Sequence, residues 1–196
     1  MDKHSSKRPT GSDETRLRLL RAAAELIAEV GWGRVTTRAV AERAGLPHGA
    51  VSYHFGGKQD LLTEAALHVF EQAFPISELE ALEGLPDLVA LFEPWLGDQS
   101  DTEHLVSRVG IEAMLESERN PVLRDRMAAM LHEFRRVVAE IAKGAQERGT
   151  ARADISPRAL ATLLGAVGDG LFLHARLDPD LDAAEALNAL RALLRR

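Results

Sequence analysis

The sequence predicts an all-α fold, and three observations support this prediction. Hydrophobic residues recur at the spacing of amphipathic helices, no segment alternates apolar and polar residues as a strand does, and glycine or proline separates the helical stretches. The chain has 196 residues, of which 45% are hydrophobic, so it can form a substantial core. About nine helices are expected, arranged as a three-helix N-terminal domain and a larger helical domain.

The first predicted helix covers residues 12–30. Ser12 is a favourable N-cap, and an apolar stripe that begins at Leu17 follows one face of the helix. Gly31 and Gly33 end it, because glycine readily adopts the backbone conformations that follow a helix terminus. Residues 1–11 are polar and basic, and we expect them to form a flexible tail.

Two short helices follow, joined by a turn that contains glycine. Thr36 is predicted to cap the first, over residues 36–44, and Gly45 ends it. Pro47 lies in the turn, and the second helix covers about residues 48–54. This is the helix-turn-helix arrangement, in which the first helix contacts the DNA backbone and the second presents its N-terminal residues to the major groove.

The remainder of the chain is predicted to be helical as well. Residues 58–74 form one long helix that Pro75 ends, and residues 86–96 form another whose end Pro94 is expected to distort. Residues 76–85 are a short, weakly amphipathic piece, and the other predicted helices cover residues 102–119, 121–148, 157–177 and 181–194.

Charge and composition restrict the classes of function. The net charge is −6, but residues 1–60 contain ten Lys/Arg and seven Asp/Glu, so the N-terminal part is basic and the remainder is acidic. This distribution permits contact with a polyanion through the first part only. The chain has no cysteine, which excludes disulfides and thiolate zinc sites and is typical of a reducing compartment. With no apolar run long enough for a signal peptide or a membrane span, a cytoplasmic protein without a membrane partner is predicted.

Enzymatic function is the main alternative, and the sequence does not favour it. It contains no paired Glu-x-x-His pattern, no glycine-rich phosphate loop and no nucleophile elbow. Asp98, Asp101 and His104 have a spacing that metal ligands can have, but a solvated acidic turn is the favoured interpretation. We therefore predict a non-enzyme with no cofactor and no metal. A pure protein-interaction module is the second alternative, although it would not need Arg38, Tyr53 and Lys58 around a helix-turn-helix.

Residues 35–62 read VTTRAVAERAGLPHGAVSYHFGGKQDLL, and this segment resembles the N-terminal DNA-binding motif of the TetR family of transcriptional regulators. The positions that carry the resemblance are Ala44-Gly45, Tyr53-His54-Phe55, Lys58 and Leu61-Leu62. The resemblance implies a repressor that binds a palindromic double-stranded DNA operator as a homodimer and is released by a small-molecule effector. It also implies a helix-turn-helix domain over residues 12–57, a ligand-binding and dimerisation domain over residues 58–196, and a location at the nucleoid of the bacterial cytoplasm.

The resemblance assigns roles to individual residues of the two short helices. Thr37 and Arg38 begin the first helix, where an arginine suits the O6 and N7 atoms of guanine. Phosphate contacts, which position a protein without reading sequence, are assigned to Tyr53, His54 and Lys58. The complete predicted DNA-binding set is Thr36, Thr37, Arg38, Pro47, His48, Gly49, Ala50, Ser52, Tyr53, His54 and Lys58, with His48, Gly49 and Ala50 at the base-reading start of the second helix.

The larger domain is expected to bind the effector and to form the dimer. The resemblance implies that the last two helices make a four-helix dimer interface, to which Leu187, Leu190 and Leu194 contribute. Glycines at 165, 168 and 170 interrupt the apolar stripe of the preceding helix, which predicts close packing either within the chain or against a second subunit. The residues predicted to line the effector cavity are Phe70, Phe92, Trp95, His104, Arg108, Met114, Phe134 and Phe172, each of which has core packing as its alternative role.

Overall fold

The computed structural model describes residues 11–96, 101–178 and 180–195, and the chain is all-α, as predicted. Residues 1–10 of the predicted basic tail and Asp98 lie outside the described residues, as do the side chains of Trp95 and of residues 101–103, whereas Gly11, predicted as the last tail residue, is in α1. The α-helices are α1 (Gly11–Val30), α2 (Thr37–Arg43), α3 (Gly49–His54), α4 (Lys58–Ala73), α5 (Ile76–Glu80), α6 (Leu85–Ala90), α7 (Glu93–Leu96), α8 (Asp101–Ser117), α9 (Pro121–Glu147), α10 (Pro157–Leu177) and α11 (Ala183–Leu194), with a 3-10 turn at Trp32–Arg34.

Proline divides the segment for which one helix was predicted over residues 86–96. The chain forms α6 and α7 there, with Leu91 and Phe92 between them. Pro94 has no N–H to donate to the carbonyl of Ala90, and its ring would collide with that carbonyl in a continuous helix. Helix α7 therefore starts again at Glu93, where proline is tolerated in the first turn.

The described residues belong to two compact units that do not follow chain order. The first contains the residues up to Phe70 together with Leu105–Arg124, and the second contains Glu71–His104 together with Asp125–Arg196. Most of α4 and α8 thus belong to the same unit as α1–α3. The division into functional domains at residue 57 stays a prediction.

The first unit is built around the inward faces of α1 and α4. Leu20 and Ile27 of α1 and Leu61 and Leu62 of α4 are almost fully buried, and Val40 joins them from α2. Burying a side chain of this size stabilises a fold by about 1.5–3 kcal/mol. This apolar centre holds the two short helices in place on the surface of the unit.

The second unit has a core of its own, and α11 contributes to it. Leu187 is buried, while Leu190 and Leu194 pack against the core that includes Val138 and Leu164. Of the three α11 leucines predicted at a dimer interface, Leu187 is therefore buried within its own subunit instead, while the assignment of the half-buried Leu190 and Leu194 stays a prediction. All three lie at the helical spacing that also brings a stripe to the core of its own subunit.

Helix α10 is long and apolar enough to cross a membrane by length and composition. It also supplies Leu160, Ala161 and Leu164 to the core of the second unit, so its apolar character has a role in packing.

Candidate nucleic-acid interface

The turn between α2 and α3 has a defined glycine-dependent geometry. Thr36 caps α2, because its Oγ1 accepts a hydrogen bond from the N–H of Ala39 at 3.1 Å. At the other end Gly45 has a φ of +64°, and the N–H of Leu46 donates to the carbonyl of Ala41 at 2.9 Å. This is the Schellman arrangement, which satisfies the last carbonyls of a helix and needs a left-handed residue. The turn therefore fixes the direction in which the chain leaves α2.

An arginine of α1 holds this turn from outside. The Nη2 atom of Arg18 donates to the carbonyl of Ala44 and lies 3.4 Å from the carbonyl oxygen of Gly45. A Cβ on Gly45 would lie 3.2 Å from the same nitrogen, so the absence of a side chain admits the guanidinium. Arg18 thus positions this turn, a role that the sequence does not reveal because its partners lie more than 25 residues further along the chain.

Two other basic residues of the first unit are also occupied by contacts within the protein. Arg43 of α2 makes two hydrogen bonds of 2.7 Å to Glu29 of α1, and these hold the pKa of the Glu29 carboxyl below its ordinary value. Arg16 bonds to Glu64 of α4 at 3.0 Å, and its guanidinium carbon lies 5.2 Å from the centroid of the Phe55 ring. These arginines connect the helices of the unit to one another.

Arg38 and Tyr53 differ from those residues in their environment. Arg38 is exposed and makes no hydrogen bond or ion pair with any residue that the structure describes. The side chain of Tyr53 is 81% exposed, and its ring stands nearly perpendicular to that of the half-buried His54, with the centroids 4.9 Å apart. The exposed side chain of Tyr53 and the guanidinium of Arg38 are therefore both able to bind a partner outside the chain.

The remaining predicted DNA-binding residues lie mostly at the surface. Thr36, Pro47, His48, Gly49 and Ser52 are exposed, whereas Thr37 and Ala50 are half-buried. A Cβ on Gly49 would meet nothing within 4 Å, so the first turn of α3 is open on that side. The start of α3 is thus accessible to a large partner.

Lys58 is the predicted phosphate contact that already has a protein partner. Its Nζ donates to the carbonyl of Gly33 at 2.9 Å, and the neighbouring Gln59 accepts from the indole N–H of Trp32 at 3.0 Å. An ammonium group has three donors, so this bond leaves Lys58 able to make others.

The residues predicted to line an effector cavity are divided between the two units. In the first, a Cβ on Gly110 would lie 3.5 Å from the Phe70 ring, Arg108 donates to the carbonyl of Ala28 at 2.8 Å, and Met114 is 63% exposed. The second unit contains Phe92, His104, Phe134 and Phe172.

Two of those aromatic residues pack on the glycines of α10. A Cβ on Gly168 would lie 2.7 Å from Phe92, and a Cβ on Gly165 would lie 3.3 Å from Phe134. His104 contacts Arg176 instead, with 3.2 Å between Nδ1 and Nη2. Two of the three glycines thus serve internal packing, which was one of the alternatives for them.

Among residues 11–96, 101–178 and 180–195, no three His, Asp or Glu side chains come together as a metal site would require.

Two family models together match most of the chain. Residues 19–72 match the model for bacterial regulatory proteins of the tetR family, and residues 87–196 match the model for the C-terminal part of BetI-type transcriptional repressors. The transcriptional regulator BetI 2 of Chromohalobacter salexigens is 30% identical to this chain, over 87% of the chain and 82% of its own length.

Solved structures agree with these matches. Salmonella enterica GusR superposes with a TM-score of 0.79 at 25% identity, covering 96% of this chain and 99% of its own. A transcriptional regulator from Saccharomonospora viridis, crystallised in complex with choline, superposes with a TM-score of 0.71 at 25% identity, covering 91% and 94%.

Proposed function

The chain belongs to the TetR family of bacterial regulatory proteins and is a DNA-binding transcriptional regulator, and from that premise we propose that it is a repressor which binds a palindromic operator as a homodimer and leaves it when a small molecule binds. A separate enzymatic activity is not part of the proposal, since the relatives named above are regulators. The protein would act in the bacterial cytoplasm, at the nucleoid.

The environment of Arg38 is the observation that carries the proposal for DNA reading. Of the two arginines in α2, Arg43 is held by carboxylates of α1, whereas Arg38 is exposed and has no partner in the described part of the chain. An arginine at the start of a helix that faces the major groove can bind guanine O6 and N7 with two hydrogen bonds, which gives about 1–3 kcal/mol of discrimination. We assign base reading chiefly to Arg38 and His48.

Tyr53 supports the assignment of phosphate contacts to the end of α3. A tyrosine that is 81% exposed gains nothing from the core, but its hydroxyl can donate to a phosphate oxygen. His54 packs against the Tyr53 ring and limits its orientations. Together with Lys58, these residues would anchor the protein on DNA of any sequence, so that binding weakens as salt rises.

Exposed leucines of α10 and α11 support a two-fold dimer through these helices. Leu163, Leu173 and Leu177 of α10 follow one another at positions i, i+10 and i+14, and Gly170 lies on the same face with open space beside it. Leu193 of α11 is 72% exposed. A monomer would leave this surface in water, whereas an isologous dimer buries it and places two α3 helices about 34 Å apart on a palindrome.

The effector site is proposed among the aromatic residues of the second unit. Phe92 and Phe134 lie against neighbouring glycines of α10, and Phe172 follows on the same helix. Because a similar solved structure contains choline, we use choline as the first probe. Aromatic rings are suitable surfaces for a quaternary ammonium group. Release of the selected operator by choline, and its loss in Phe92→Ala, would support the assignment; release unchanged in Phe92→Ala would count against it.

The test of DNA reading begins with selection of a preferred sequence from random duplex DNA. Arg38→Ala should lower affinity for the selected duplex by about tenfold or more and leave affinity for scrambled DNA nearly unchanged. Arg21→Ala is the matched control, since Arg21 is exposed on α1 and makes no hydrogen bond or ion pair with a described residue. Selection of no sequence by the wild type, or an equal loss on both duplexes in Arg38→Ala, would overturn the proposal.

A further inference from the structure

Two side chains of α8 bind the backbone where α1 ends. The Arg108 guanidinium donates to the carbonyl of Ala28 at 2.8 Å, and the Glu112 carboxylate accepts from the N–H of Trp32 at 2.8 Å. The two residues are four positions apart, so they lie on the same face of α8, one turn from each other. All of these groups belong to the first compact unit.

The charges match the backbone groups that they contact. The last carbonyls of a helix have no partner within it and carry partial negative charge, which suits Arg108 at the end of α1. The N–H of Trp32 belongs to the 3-10 turn that follows, and it donates to the negative oxygen of Glu112. Hydrogen bonds to ionised groups are stronger than those between neutral groups.

Gly31 makes room for the Glu112 carboxylate. Its φ is +81°, and a Cβ at this position would lie 3.3 Å from both carboxylate oxygens of Glu112. The carboxylate thus occupies the space next to a backbone that only glycine adopts easily. The Glu112 carboxylate therefore packs closely against this turn.

The same turn leads directly to the DNA-reading helix. Only Val35 and Thr36 separate the 3-10 turn from α2, and Val35 is 1% exposed, so the connection has little freedom. Lys58 and Gln59 of α4 bind the turn as well. A change in the position of the turn must therefore move the start of α2, where Arg38 lies.

We propose that Glu112, assisted by Arg108, is a positioning residue for DNA reading: it fixes the turn between α1 and α2 and so sets operator affinity without touching DNA. The proposal rests on α2 and α3 being the DNA-reading helices. Because Glu112 is acidic, it would make no favourable contact with a DNA phosphate itself, so a loss of affinity in its variants would not be the loss of a direct DNA contact.

The experiment compares four variants on the selected operator and on scrambled duplex of equal length. Glu112→Ala should weaken operator binding by about tenfold, as expected for loss of a charged hydrogen bond, and should change binding to scrambled DNA by less than about twofold. Glu112→Gln keeps an oxygen at the same position and should recover most of the affinity. Glu112→Asp keeps the charge but is too short to reach, so it should resemble alanine. Glu118→Ala removes an exposed carboxylate just after α8 and should bind like the wild type.

Each outcome decides the proposal. It is overturned if Glu112→Ala and Glu112→Asp bind the operator like the wild type, if glutamine fails as badly as alanine, or if both duplexes lose affinity equally. Should the alanine variant not fold, the aspartate and glutamine variants give the same comparison. A wild-type protein that selects no operator would instead refute the proposed function, which keeps the two failures distinct.

Discussion

Three glycines of α10 allow a graded test of packing in the second unit. In a helix interior alanine is favoured over glycine by about 1 kcal/mol. What an added Cβ would meet differs among the three: nothing within 4 Å at Gly170, the Phe134 ring at 3.3 Å at Gly165, and the Phe92 ring at 2.7 Å at Gly168. The substitutions are otherwise the same, so differences among them report on the neighbouring rings.

The expected changes in the free energy of unfolding follow from these distances. Gly170→Ala should stabilise the fold by about 1 kcal/mol, the full helix propensity difference. Gly165→Ala should be nearly neutral, because the Phe134 ring must move slightly. Gly168→Ala should destabilise by about 1 kcal/mol, since overpacking costs roughly 1–3 kcal/mol and the propensity gain offsets about 1 kcal/mol of it.

The assay is urea unfolding followed by circular dichroism, at one protein concentration for all variants because dimer stability depends on concentration. Phe92→Leu combined with Gly168→Ala serves as the internal control, since a smaller, flexible side chain should relieve the collision and make the two changes non-additive. If Gly168→Ala is as stable as Gly170→Ala, or if the leucine gives no relief, the packing deduced from the Cβ positions is incorrect. Sedimentation equilibrium establishes the oligomeric state of each variant at that concentration, so that a change in dimerisation, which a methyl group at Gly170 could cause on the proposed dimer face, is separated from the change in helix propensity.

Four further predictions concern the first compact unit and the proposed dimer. Arg18→Met should lower the free energy of unfolding by about 1–2 kcal/mol, measured in urea, because the turn carbonyls lose their donor. Glu29→Gln should be less stable than the wild type at neutral pH but equal to it in acid. The pKa of the Glu29 carboxyl is lowered in the folded protein, so the carboxylate stabilises the fold above its ordinary pKa of 4.5, and this stabilisation is lost as the pH falls through the lowered pKa. Tyr53→Phe should weaken binding to operator and scrambled duplex alike, by roughly fivefold in a gel-shift assay. Leu177→Asp should shift the protein to monomer in sedimentation, whereas Leu115→Asp, at an exposed leucine of the first unit, should not.

Local signals in the sequence were sufficient to predict most helix boundaries. Thr36 and Gly45 act through neighbours within five residues, as caps do, and both are found in the predicted roles. Pro94 also acts locally, although its effect is a complete break between two helices rather than a distortion of one. Such features depend on backbone chemistry that is the same in any fold.

Contacts between distant segments could not be predicted in this way. Arg16 and Glu64 are separated by 48 residues, and Glu112 and Trp32 by 80. Nothing in the periodicity of α8 distinguishes a carboxylate bound to a backbone N–H from one in water. For the same reason the sequence did not indicate that most of α8 belongs to the same compact unit as the first three helices.

Much of the basic charge of residues 1–60 is therefore engaged in contacts within the protein, which the sequence alone does not indicate. Of its ten Lys/Arg residues, five are bound to carboxylates or carbonyls of the first unit, namely Arg16, Arg18, Arg34, Arg43 and Lys58. Three more lie in the tail outside the described residues, which leaves Arg21 and Arg38 as exposed cations without a partner among the described ones. A count of charges would assign DNA affinity to the whole segment, whereas five of the seven basic residues that the structure describes there are bound within the first unit. If Arg38 and His48 read the bases as proposed, their positions depend on these internal contacts, so substitutions at Arg18 or Glu112, which would not touch DNA, should weaken binding to the operator more than binding to scrambled DNA.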